Sequence, residues 1–112
     1  MSKNILVISA SLRNGSNSDM LADEFMRGAL ESGNKAEKIT LRGKNINFCK
    51  GCLACQKTGK CVINDDMAEI LPKMQQADVI CFASPVYFYD MCGQLKTFLD
   101  RTNPLFPAEY NF

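Results

Sequence analysis

The 112-residue chain has no histidine and no tryptophan. Without imidazole, every mechanism that rests on a histidine base is excluded, and so is metal ligation through nitrogen of that ring. No apolar stretch approaches membrane-spanning length. Met1-Ser2-Lys3-Asn4 runs straight into a strand-length apolar segment with no small-residue cleavage site behind it, so no secretory signal is expected. Runs of like charge are missing too. Thirteen Lys and Arg against twelve Asp and Glu leave a net charge of +1, too even for a nucleic-acid or membrane-surface footprint. Neither the Gly-Lys-Ser/Thr ending of a nucleoside-triphosphate loop nor a G-x-G-x-x-G fingerprint occurs. These absences leave a cytoplasmic protein of one domain, residues 1–112, as the expectation. In that reducing compartment the six cysteines read as ligands, redox groups or core thiols rather than disulfides.

Hydrophobic periodicity gives the order β-α-β-loop-α-β-α. Asn4 to Ser9 is a continuous apolar run, as for a strand covered on both faces. Asp19 to Ser32 is helical, with Leu21, Phe25 and Ala29 every four residues and Ala22, Met26 and Leu30 beside them. Ser18 or Asn17 can cap its start, Asp19 suits the positive end of its dipole, and Gly33 can stop it. Lys35 to Leu41 alternates in polarity and suits a strand near a sheet edge. Asn45 to Asn64 has no clean period and holds four cysteines, which marks a functional loop. Asp66 to Glu69 resembles a capping box before a helix carrying Met67, Ile70, Leu71 and Met74, which Pro72 should kink or restart. Asp78 to Ala83 is a second fully apolar strand, and Leu95, Phe98, Leu99 and Thr102 mark a last helix closed by Pro104. Met20, Met26, Met67 and Met74 read as core filler, and Cys81 and Cys92 as small buried hydrophobes.

Such alternation points to an open parallel sheet with helices on both faces, where ligands sit beyond the carboxyl ends of the strands. Two loops lie at that edge. Ser9, Ser11, Arg13, Ser16, Asn17 and Ser18 follow the first strand at the mouth of a helix, a concentration of hydroxyls and one guanidinium suited to a phosphate group. A plain polar strand-to-helix connection has the same composition. Pro85, Val86, Tyr87 and Phe88 follow the third strand and can pack against a flat heterocycle, although aromatic clusters also build cores and interfaces. Between the two, Cys49-x-x-Cys52-x-x-Cys55-x5-Cys61 can wrap an iron–sulfur cluster, hold zinc through four thiolates, or remain unligated.

The loop Ser11-x-Arg13-x-x-Ser16-x-Ser18, the turn Ser84-Pro85-Val86-Tyr87 and the run Gly93-Gln94-Leu95-Lys96-Thr97-Phe98-Leu99-Asp100-Arg101 together resemble the NAD(P)H-dependent FMN reductase branch of the flavodoxin-like proteins. Within that branch the four-cysteine spacing is similar to that of iron–sulfur flavoproteins. The resemblance implies a three-layer α-β-α fold with a five-stranded parallel sheet in the order 2-1-3-4-5, of which this chain supplies three strands. It further implies FMN at the switch between strands one and three, NAD(P)H as co-substrate, and a [4Fe-4S] cluster on Cys49, Cys52, Cys55 and Cys61. In that strand order Asp78 to Ala83 has an open edge, a template for a second chain, so a homo-oligomer is expected. The contrasting expectation is a shortened, non-catalytic domain that binds no cofactor and persists through oligomerisation.

Overall fold

The computed structural model describes residues 2–105. The segment 106–112, where the sequence leads toward an expected fourth strand, lies outside the described residues. Strand β1, Asn4–Ser9, is flanked by β2, Lys35–Thr40, and β3, Val79–Ala83, both parallel to it, in the order β2-β1-β3. Helix α1, Asn17–Glu31, joins β1 to β2. A short helix α2, Cys55–Thr58, and helix α3, Met67–Gln76, lie between β2 and β3. After β3 comes a two-stranded hairpin, β4 (Val86–Tyr87) and β5 (Asp90–Met91), then helix α4, Gly93–Asp100, and a single 3-10 turn, Asn103–Leu105.

The alternation of side chains along β1 sorts the layers. Leu6, Ile8 and Ala10 join Ile39, Met67, Ile70, Met74, Leu95 and Phe98 in one core, which places α3 and α4 on one face. Val7 points to the other face, under α1, where Ala22 and Ala29 are buried. Phe82 meets the edge of Phe98 at 6.4 Å between ring centres. The architecture is the expected three-layer α/β arrangement.

Several local expectations are corrected. In α1 the buried stripe runs through Asp19, Ala22 and Ala29, whereas Leu21 and Phe25 are 69% and 43% exposed. Small alanines let the helix approach the sheet. The cap of α1 is Ser16 rather than the expected Asn17 or Ser18: the Ser16 Oγ accepts from the N–H of Asp19 at 3.4 Å. Before α3, Asp66 makes no side-chain cap bond, so the expected capping box is not formed. The N–H of Met67 is taken instead by Asp65 at 3.1 Å, and Asp66 accepts from the N–H of Asn45 at 2.6 Å. Helix α3 runs through Pro72 as one element and does not restart there. Met20 is exposed rather than core. Cys92 is fully buried as expected, but Cys81 is only half-buried. β3 is likewise only partly covered, with Val79 and Phe82 exposed.

Candidate functional site

Backbone bonds draw the ends of β1 and β3 together: the N–H of Ala10 donates to the carbonyl of Ala83 at 2.8 Å. The first loop leaves from there and turns at Gly15, whose φ of 72° is a left-handed conformation that glycine adopts without strain. Asp19, in the first turn of α1, holds the loop in shape. Its carboxylate accepts from Ser9 Oγ at 2.7 Å and the Gly15 N–H at 3.3 Å, and it pairs with Lys38 Nζ at 2.8 Å. The bond from Lys38 and that from Ser9 outweigh burial and hold its pKa at about 2. Ser16 Oγ donates to Ser11 Oγ at 2.6 Å, and Ser11 Oγ accepts from the Arg13 N–H at 3.2 Å.

The second loop is anchored at Ser84, whose Oγ accepts from the Cys92 N–H at 3.2 Å, while Gln94 Nε2 donates to the Ala10 carbonyl at 2.9 Å. The two loops therefore face one another across a cleft of about 390 Å³, within the range of roughly 300–1,000 Å³ usual for small-molecule sites. Ser11, Arg13, Ser16, Asn17 and Ser18 line one side; Ser84, Pro85, Val86 and Tyr87 line the other, and Leu21 of α1 completes the lining.

Two of the expected residues stand apart. Ser9 is fully buried and its hydroxyl is committed to Asp19, so it shapes the loop and does not line the cleft. Phe88 sits at the tip of the β4–β5 hairpin, 93% exposed beside Tyr89 at 95%, because a two-residue turn with φ of 49° and 69° lifts both rings outward.

The cleft suits a phosphate monoester. Arg13 is the cation in its lining, and Asn17 and Ser18 have first-turn N–H groups without intrahelical acceptors. Ser18 Oγ is buried and without a hydrogen-bond partner, an unfilled polar group that an acceptor oxygen would satisfy.

The four cysteines form a second site. Cys49, Cys52, Cys55 and Cys61 line one pocket of about 100 Å³ with Leu53, Ile63 and Arg101. All are free thiols, and Cys55 is buried. Gly51 and Leu53, at φ of 72° and 60°, turn the backbone between them. Backbone N–H groups of Gly51 and Ile63 donate to the sulfurs of Cys49 and Cys61, each at 3.4 Å. Among the described residues no three cysteine or carboxylate side chains stand close enough to hold a single metal ion.

Behind this loop lies a buried ion pair that the sequence reading does not anticipate. Arg101 and Asp65 meet at 2.7 Å with side chains 1% and 0% exposed. Burial pushes the Asp65 carboxyl up, but the bonds from Arg101 and from the Asn47 and Met67 N–H groups outweigh it and hold its pKa at about 2. An arginine closing an apolar helix is the one signal in the sequence; Asp19 and Asp65 read only as carboxylates suited to helix starts, and Lys38 carries no signal. No helix among the described residues is long and apolar enough to cross a membrane.

Comparison with known proteins agrees with this architecture. An iron-sulfur flavoprotein of Methanocaldococcus jannaschii is 44% identical over 101 residues, covering 90% of this chain and 52% of that protein. An iron-sulfur flavoprotein of Archaeoglobus fulgidus is 37% identical over 97 residues, covering 87% and 44%. Among solved structures, the NAD(P)H:quinone oxidoreductase from Methanothermobacter marburgensis superposes with a TM-score of 0.75 at 20% identity, over 92% of this chain and 54% of that one. The chain spans about half the length of the curated relatives it matches. The sequence profile of NADPH-dependent FMN reductases matches residues 3–111, and the chain belongs to that family.

Proposed function

We propose that the cleft binds FMN and that the chain contributes to an NAD(P)H-dependent flavin oxidoreductase, with the four-cysteine loop holding a [4Fe-4S] cluster as the electron outlet. The observation that supports this reading most directly is the meeting of two loops distant in sequence around one guanidinium and an unpartnered buried hydroxyl. Arg13 neutralises the phosphate, Ser11, Ser16 and Ser18 offer hydroxyls, and the first turn of α1 offers N–H groups. Pro85, Val86 and Tyr87 supply an apolar wall for the ring, with Leu21 beside it. When bound, FMN supplies the hydride and electron transfer that side chains cannot. No protein base is needed, which accords with the absence of histidine.

The cysteine loop fits a cluster better than zinc. One zinc ion requires four sulfurs about 2.3 Å from a single point, whereas a cubane places each thiolate on its own iron. Four thiols at this compact spacing around one pocket suit the second arrangement.

The anaerobic visible spectrum of the purified chain tests both assignments: flavin bands and a broad iron–sulfur absorption are expected, and a colourless protein refutes the reading. Arg13→Ala should weaken FMN binding roughly 10- to 100-fold, the loss of a charge-assisted bond of about 1.5–3 kcal/mol. Fluorescence titration measures it, and unchanged affinity removes Arg13 from the site.

A further inference from the structure

A single guanidinium grips both stems of the cysteine loop. Arg101 donates from Nη1 to the Asn47 carbonyl at 2.9 Å and from Nη2 to the Ile63 carbonyl at 3.5 Å. These carbonyls lie two residues before Cys49 and two residues after Cys61. The remaining Nη donors go to the two oxygens of Asp65, at 2.7 and 3.0 Å, and Asp65 in turn accepts from the Asn47 N–H at 2.9 Å. Four of the five donors of the fork are used. The fifth, Nε, is buried with no acceptor in hydrogen-bond geometry, and Arg101, whose guanidinium also interacts with Cys61, lines the same pocket as the four thiols. A buried donor without a partner is costly and rare.

We propose that Arg101 is the positioning residue of the four-cysteine site, closing the loop with Asp65 and reserving its Nε–H for a sulfur of the group that the thiols hold. This rests on the iron–sulfur reading of the loop. Lysine cannot replace the fork, because an ammonium is a compact charge without the planar geometry that spans both stems and the carboxylate.

The test uses the full chain, reconstituted without air from ferrous iron and sulfide. Arg101→Lys should release iron to a chelator roughly 10- to 100-fold more readily, the usual cost of losing a partner behind a metal ligand, and the cluster's reduction potential should fall with the lost N–H. The double variant Asp65→Asn/Arg101→Gln, which leaves no buried charge unpaired, guards against misfolding and should show the same defects. Wild-type iron retention and potential in either folded variant overturn the proposal.

Unloaded protein separates this from the cluster assignment. Iodoacetamide should modify Cys55 and Cys61 roughly tenfold faster in both variants as the loop opens locally. Equal rates overturn the closing role of Arg101. A wild type that takes up no iron refutes the iron–sulfur reading alone, and the alkylation rates still decide the part played by Arg101.

Discussion

Asp19 and Asp65 are the carboxylates on which both candidate sites depend, and each is held at a pKa of about 2 in the folded chain. A depressed native pKa stabilises above the unfolded value and loses that contribution as pH falls through the native one. Each carboxylate should therefore contribute on the order of 2 kcal/mol at neutral pH, lost between about pH 4 and about pH 2. Urea unfolding across that window should show a steep fall, shallower in Asp19→Asn. An unchanged slope in the variant would mean that Asp19 is not the titrating group. At this scale residue types are legible in sequence, whereas partners are not. Ser9 reads as a phosphate donor from its loop, yet the fold turns its hydroxyl onto Asp19.

Among elements, the β4–β5 hairpin departs furthest from the sequence reading. Pro85 to Phe88 reads as one ring-binding turn, but Val86 pairs with Met91 and Tyr87 with Asp90, so the chain reverses at Phe88-Tyr89. Both tip residues have positive φ, which costs a non-glycine residue roughly 1–2 kcal/mol. Phe88→Asn/Tyr89→Gly should raise the melting temperature and leave FMN affinity unchanged, since the exposed rings do not line the cleft. Weaker flavin binding in that variant would return Phe88 to the site. The pairing escapes sequence analysis because two-residue strands carry no period.

For the molecule as a whole, β3 presents an edge without a neighbouring strand among the described residues, with Val79 and Phe82 exposed on the strand itself. Such an edge pairs readily with another chain. Light scattering after size exclusion should find the 112-residue chain self-associated, and Val79→Lys should shift it toward monomer; a monomeric parent chain would refute this.

The order of the longer strands and helices, the hydroxyl-rich loop and the cysteine spacing follow from residue types and intervals along the chain, because period, capping and turn chemistry act over a few residues. The meeting of Ser11–Ser18 with Ser84–Tyr87, the burial of Ser9 and the grip of Arg101 on Asn47 and Ile63 required the folded sheet. Those contacts join segments far apart in the chain, and no local preference specifies which distant groups a buried charge will find.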